Sequence, residues 1–277
     1  VVLTRENDNF IAPNTAASAY QLTSGLQSAA WLVEETAQGT PTPASPQGQY
    51  IPLLIGISQE GDLSPNDQIL NDITPLASQM AVGATWQTRA AEETGSILGA
   101  ELSALGFNLL LGPSLDVLDL PQSEGGRDLG TRTFGGDPYW VGQMGQAFVR
   151  GVHQGSHSRM AVIAKHFPGR GSSDRPAEEE VTTVRKSLEQ LKQIELAPFF
   201  AVTGNAPDAQ TAVDGLLVSH IRYQGFQGNI RAITPPVSFD RTALSQVMSL
   251  EPLLKWRDDN QGLVVSDNLG STAVRRF

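Results

Sequence analysis

Met160-Ala-Val-Ile-Ala-Lys-His-Phe-Pro-Gly-Arg-Gly171 opens as an apolar run and closes on two basic residues, a proline and glycines. A run that is continuously apolar, rather than alternating, is what a strand buried on both faces shows, as in parallel sheets under helices. Four further runs share this form: Ile51-Pro-Leu-Leu-Ile-Gly-Ile57, Phe107-Asn-Leu-Leu-Leu-Gly112, Gly215-Leu-Leu-Val-Ser219 and Gly262-Leu-Val-Val-Ser266. Periodicity does not separate such short strands from buried helix, so the segments between them decide.

Those segments read as helices. Residues 89–105 set Ile97, Leu98, Leu102 and Leu105 on one stripe and stop at Gly106, a good helix-ending residue. Residues 138–154 do the same with Val141, Phe148, Val149 and Val152 before Gly155, and Ser187-Leu-Glu-Gln190 has the form of a capping box opening a helix with Leu188, Leu191 and Leu196. Strands alternating with helices imply a parallel α/β architecture. Polar residues close all five runs, where a (β/α)₈ barrel builds its site. An open doubly wound sheet places ligands at the same ends, so alternation leaves both architectures open. Residues 38–49 and 120–128 read as surface loops, and no repeat or low-complexity linker divides the chain, so residues 1–277 are expected to form one domain.

With 40% hydrophobic and 17% charged residues among 277, the chain can bury a sizeable core. Its 19 basic and 29 acidic residues give a net charge of −10, which repels phosphate backbones and anionic lipid. Nucleic acid is therefore a poor partner, and a neutral ligand such as a sugar fits better. There is no cysteine, hence no disulfide or thiolate chemistry, and no apolar run reaches membrane-span length. Sparse lysine and the Thr-Pro-rich stretch at 40–49 lean toward an extracytoplasmic setting. The four histidines, His153, His157, His166 and His220, show no metal-ligand spacing, and His153 and His157 are expected on an exposed helix end and loop.

Ala164-Lys-His-Phe-Pro-Gly-Arg-Gly171 resembles the Lys-His-Phe-Pro-Gly-His-Gly signature of family-3 glycoside hydrolases, in the β-N-acetylglucosaminidase branch. Other stretches fall in that family's order. Ile57-Ser-Gln-Glu-Gly61 is similar to its Ile-Asp-Gln-Glu-Gly, and Pro113-Ser-Leu-Asp-Val117 to its Pro-Val-Leu-Asp-Val. Arg132-Thr-Phe-Gly-Gly-Asp-Pro138, Ser219-His-Ile221 and Ser266-Asp-Asn-Leu269 match its Arg-Ser-Phe-Gly-x-Asp-Pro, Ala-His-Ile and Ser-Asp-Asp-Leu. The resemblance implies a TIM (β/α)₈-type barrel, with Val1-Val2-Leu3 the tail of the first strand, Pro236-Val-Ser-Phe239 a short sixth, and the last strand–helix unit lying outside this chain. It implies a retaining glycosidase acting on carbohydrate without a cofactor, whose partners would be the rest of the barrel or a further C-terminal domain.

In such an enzyme one carboxylate attacks the anomeric carbon and a second group protonates the leaving oxygen. By resemblance Asp267 is the nucleophile, the alternative being an aspartate that caps a turn. Arg132, Lys165 and His166 resemble sugar-binding residues. A Lys-His pair ending a buried strand is costly without partners, which favours a ligand role over pairing with Asp267 or Asp116. His220 is equally a pocket residue or a hydrogen-bonded core histidine.

The chain departs from the family at three places. Ser58 stands where a hydroxyl-binding aspartate is expected, Arg170 replaces the signature's second histidine, and the Asp-x-His acid/base dyad is absent, with Pro176 and Glu178 at its positions. Glu178 is then the candidate acid/base, with Asp174 a second candidate by loop shift. Glu178-Glu-Glu180 also reads as a solvated acidic run, and an acid from a following domain or another chain is a further alternative. These departures keep a second function open: a catalytically impaired barrel that binds glycans or scaffolds other domains.

Overall fold

The computed structural model describes residues 1–10, 12–37, 51–61, 63, 67–119, 130–171, 173 and 180–277. Five strands form one parallel sheet: β1 (Gly56–Ile57), β2 (Leu109–Ser114), β3 (Ala161–Phe167), β5 (Gly215–Val218) and β7 (Leu263–Ser266). A two-stranded parallel sheet pairs β4 (Thr183–Val184) with β6 (Arg222–Tyr223). Around them run α1 (Thr15–Ala37), α2 (Gln79–Gly83), α3 (Thr88–Ala104), α4 (Pro138–Gly155), α5 (Leu188–Gln193), α6 (Ala197–Ala201), α7 (Gln224–Gln227), α8 (Arg241–Met248) and α9 (Glu251–Asn260).

The five main strands lie side by side in chain order, and Val2 adds a parallel bridge to Gly56. A doubly wound sheet reverses strand order at a switch point. No reversal occurs among the described residues, so the sheet is an arc of a (β/α) barrel. Its core joins strand residues Ile57, Leu110, Val162 and Leu216 to Leu98 and Leu102 of α3 and Phe148 and Val152 of α4.

Several sequence expectations need correction. The run at 51–57 forms ladder only at Gly56–Ile57, because side chains take the backbone groups before it. Asn108 accepts from Ile55 N at 2.7 Å and donates to Leu53 O at 2.9 Å, while Gln27 of α1 bonds both Leu53 groups. Pro236–Phe239 is not a strand. Val237–Phe239 is a 3₁₀ turn, and β5 pairs directly with β7, from Gly215 opposite Leu263 to Val218 opposite Ser266. Pro236 lacks an amide donor, and its carbonyl instead accepts from Asp240 N at 3.1 Å.

The Ser187 capping box is present, but its helix ends at Gln193, and Leu196 precedes a new helix with Pro198 in its first turn. On α3, Leu98 and Leu102 are buried as expected, whereas Ile97 is exposed. β7 is apolar yet open to solvent, with Leu263 45% and Val264 41% exposed. His157 is exposed, but His153 is buried: its Nε2 lies 3.1 Å from Asp214 Oδ2 and its Nδ1 3.0 Å from the Gln210 carbonyl. Residues 38–49, 120–128, Asp174 and Glu178 lie outside the described residues. Among the described residues no helix is long and apolar enough to cross a membrane.

Candidate active site

The C-terminal tips of the strands converge on a cavity of about 280 Å³. His166 and Arg170, at and beyond the end of β3, line it with Arg132 from the segment before α4 and His220 beyond β5. The turn after β7 supplies Asp267, Asn268, Ser271 and Thr272. Each of these ends or follows a strand rather than a helix, which is how a barrel collects distant sequence into one site.

Asp116, two residues past β2, organises the β3 end. It is wholly buried, and its Oδ2 accepts from Ser114 Oγ at 2.8 Å and faces His166 Nδ1 at 2.7 Å. Its Oδ1 accepts from Arg170 N at 2.6 Å. Burial pushes this carboxyl up, but His166 and Arg170 together outweigh burial and hold it at about 2. Burial first, and then the charges of Arg170 and Lys165, hold His166 below its ordinary value despite Asp116. At neutral pH a carboxylate therefore meets a neutral imidazole. The network assigns the ring proton to Nδ1, which leaves Nε2 an acceptor.

The glycines of the signature have steric reasons. Gly169 has φ +115, and a Cβ there would lie 2.7 Å from Glu195 Cβ. A Cβ on Gly171 would lie 1.8 Å from the Val117 carbonyl. Tyr223 of β6 donates its hydroxyl to Gly169 O at 2.8 Å, so this turn is fixed from both sides.

Lys165 turns toward β1 instead of joining the cavity wall. Its ammonium forms an ion pair with Glu60 and donates to Ser58 Oγ at 2.7 Å. Burial pushes the Glu60 carboxyl up, but Lys165, with Arg132 and His166, outweighs this and holds it below its ordinary value. Lys165 and Glu60 thus form a buried pair with the half-buried Ser58 beside it.

Asp267 holds its backbone in the sheet, donating to Val218 O at 3.0 Å, while its Oδ1 accepts from Asn268 N at 2.8 Å. His220 is both a cavity residue and a hydrogen-bonded one. Its Nδ1 lies 2.8 Å from Ser238 Oγ and its Nε2 3.2 Å from the Asn268 carbonyl, and its ring packs on Phe239 with centroids 5.3 Å apart. A carbonyl only accepts, so Nε2 carries the proton and Nδ1 accepts from Ser238. His220 therefore tethers the residue beside Asp267.

Sequence reading brought Arg132, His166, His220 and Asp267 to one cavity. Pairing with Asp116, the alternative the sequence leaves beside a ligand role, holds for His166, whereas Lys165 pairs with Glu60, which the sequence does not mark as a partner. No pattern in the sequence marks Ser271 and Thr272.

The model of the glycosyl hydrolase family 3 N-terminal domain matches residues 14–276. The chain belongs to that family. The family-3 chain is 29% identical over 230 residues to a β-hexosaminidase of Xylella fastidiosa (strain M12), covering 81% of itself and 60% of that protein. It is 33% identical over 222 residues to a β-N-acetylglucosaminidase/β-glucosidase of Cellulomonas fimi, covering 79% of itself and 36% of that protein. Its fold matches a family-3 β-N-acetylglucosaminidase of Paenibacillus sp. str. FPU-7 with TM-score 0.76 and 27% identity, over 100% of itself and 44% of that structure. The family-3 chain thus spans between 36% and 60% of these relatives' lengths.

Proposed function

We propose that this protein hydrolyses β-linked N-acetylglucosaminides with retention of configuration, using residues 1–277 as one barrel-type domain. The supporting observation is the shared cavity of Asp267, Arg132 and His166, in a chain whose family relatives carry glycosidase names. Asp267, anchored through Oδ1 to Asn268 N, attacks the anomeric carbon with Oδ2, and water later cleaves the glycosyl-enzyme. Arg132 donates to sugar oxygens, and His166 accepts a sugar hydroxyl proton at Nε2. Lys165 acts through its pairing with Glu60 and Ser58, which ties the ends of β1 and β3 together. His220 orients the nucleophile turn through Asn268. The proton donor is a carboxyl of residues 174–180, with Glu178 first and Asp174 second. The open apolar flank of β7 at Leu263 and Val264 is where the rest of the barrel or a further domain would pack.

The test is turnover of an aryl N-acetyl-β-glucosaminide and an aryl β-glucoside by the full-length protein and by its Asp267→Asn variant. Activated leaving groups need little acid assistance, so they report on the nucleophile. Turnover lost in the variant supports the reading. A folded protein that turns over neither substrate would replace it with a glycan-binding barrel, the reading favoured by Ser58 in place of a carboxylate. Loss of activity in Glu178→Gln on a poor leaving group, with aryl turnover retained, assigns the acid.

A further inference from the structure

Exposed aromatic side chains stand at the starts of α3 and α4. Trp86 is 66% exposed although one face of its ring packs on Trp140, with centroids 5.2 Å apart and planes tilted by 30°. Tyr139, next to Trp140 at the start of α4, is 72% exposed. Aromatics make up only 6% of the chain, so a packed tryptophan pair with one ring mostly in water, and an exposed tyrosine adjacent in sequence, stand out.

The patch is built rather than loose. Trp86 has φ +55, a backbone region that bulky residues rarely occupy and that concentrates at functional sites. Its amide bonds to Gly83 O at 3.1 Å, and the indole N–H of Trp140 reaches the same carbonyl at 3.3 Å. Both aromatic segments precede or open helices that follow strands, which puts them on the same barrel face as the cavity. α2, which ends at Gly83, also packs directly on the segment carrying Arg132. Met80 N bonds to Thr131 O at 3.1 Å, and a Cβ on Gly83 would lie 1.9 Å from Phe134 O. The turn that carries Trp86 is thereby held, through α2, against the segment that supplies Arg132 to the cavity.

We infer that Trp86 and Tyr139, with Trp140 behind them, form a stacking platform for outer pyranose rings of a β-linked glycan chain that reaches out of the cavity. This rests on the glycosidase reading above. A pyranose presents C–H groups on its faces and hydroxyls at its edges. An open indole face suits the first, and the rim of Thr85, Gln87 and the Tyr139 hydroxyl suits the second. The charged side chains nearest in sequence are already engaged, Asp137 with Trp140 N at 2.8 Å and Arg89 with Glu93 at 2.7 Å, so the exposed indole face is the feature offered to a neutral ring.

The experiment compares kcat/KM on a β-linked N-acetylglucosamine tetrasaccharide with that on the aryl N-acetyl-β-glucosaminide, in the full-length protein and in Trp86→Ala, Tyr139→Ala and Trp86→Phe. Loss of one stacking contact lowers the tetrasaccharide-to-aryl ratio about tenfold in Trp86→Ala, less in Tyr139→Ala, and Trp86→Phe restores most of it. An unchanged ratio overturns the inference, as does an equal fall on both substrates. A lower thermal midpoint in Trp86→Ala with no change in ratio would mean that another part of the protein covers the patch, and also overturns it. If no glycoside is turned over, the function reading fails separately. Tetrasaccharide titration of tryptophan fluorescence then decides the platform: saturable quenching lost in Trp86→Ala supports it, and none in the parent rejects it.

Discussion

His166 Nδ1 lies 2.7 Å from Asp116 Oδ2, so a fully buried carboxylate sets which face of the imidazole meets the cavity. Replacing Asp116 by Asn removes the charge that fixes this tautomer and weakens the bond to Arg170 N. We expect kcat/KM on an aryl glucosaminide to fall roughly 10- to 100-fold, the scale of a hydrogen bond to a charged group. The stability effect has a definite sign. The folded value of about 2 lies below the ordinary 3.8, so Asp116 contributes stability that is full above pH 3.8 and is lost as pH falls toward 2. That contribution is roughly 2 kcal/mol, because each tenfold change in proton affinity is worth about 1.4 kcal/mol. Urea unfolding at several acidic pH values should show a drop that Asp116→Asn lacks.

Glu60 and Lys165 are a buried ion pair with side-chain exposures of only 5% and 7%. Glu60 Oε2 has no hydrogen-bond partner among the described residues, so the pair is incompletely compensated. Glu60→Gln leaves a buried ammonium facing an amide and should cost about 3–5 kcal/mol in urea unfolding. Combining it with Lys165→Met should recover most of that loss. A double variant as unstable as the sum of the singles would contradict this account.

Much of this arrangement was legible in the sequence, and the reasons for the rest are local. Continuous apolar runs located all five main strands, because burial leaves no room for polar residues in β1, β2, β3 and β5, while β7 keeps an apolar sequence with its side chains open to solvent. The run at 51–57 shortened because Asn108 and Gln27 satisfy backbone groups that a ladder would otherwise hold, a competition that no hydrophobic pattern records. Pro236–Phe239 was read as a strand from the family's order, but proline gives the turn no donor there. His153 looked like an exposed helix end because its partner, Asp214, is 61 residues away. The site residues that end strands were readable from their motifs. The directions of their side chains, Lys165 toward Glu60 and His220 toward Asn268, were set only by packing.

Helices α3 and α4 approach so closely that glycine is required on both. A Cβ on Gly151 would lie 2.1 Å from Glu92 O, and one on Gly155 2.0 Å from Ser96 O. On the facing helix, Gly95 and Gly99 meet Phe148 O and Val152 O at 2.3 and 2.5 Å. These obstacles are backbone atoms, so no rotamer change relieves them. Gly151→Ala must push the helices apart, and it should destabilise by about 1–3 kcal/mol despite alanine's better helix propensity. Because α4 follows the segment bearing Arg132, the same variant should raise KM on an aryl glucosaminide more than it lowers kcat. A thermal midpoint equal to or above that of the parent would show that the helices are not in contact as described.

His153 gives a pH response of opposite sign at the other end of the sheet. Burial pulls its pKa down, but the hydrogen bond and charge of Asp214, helped by the Gln210 carbonyl, outweigh burial and raise it above 6.5. A raised folded value means that the protonated form is favoured by folding. Its stabilisation is therefore complete below pH 6.5 and is lost as pH rises through the higher folded value. Asp214 Oδ2 also accepts from Val162 N at 2.7 Å, so the pair ties α4 to the start of β3 and to the β5 entry. Thermal midpoints measured from mildly acidic to mildly alkaline pH should decline through this window in the parent and stay flatter in His153→Gln. Asp214→Asn should flatten the same limb while also losing stability at every pH, because an amide holds the Val162 N–H less strongly. A parent whose midpoint rises through neutral pH, with His153→Gln following it, would sink the assignment.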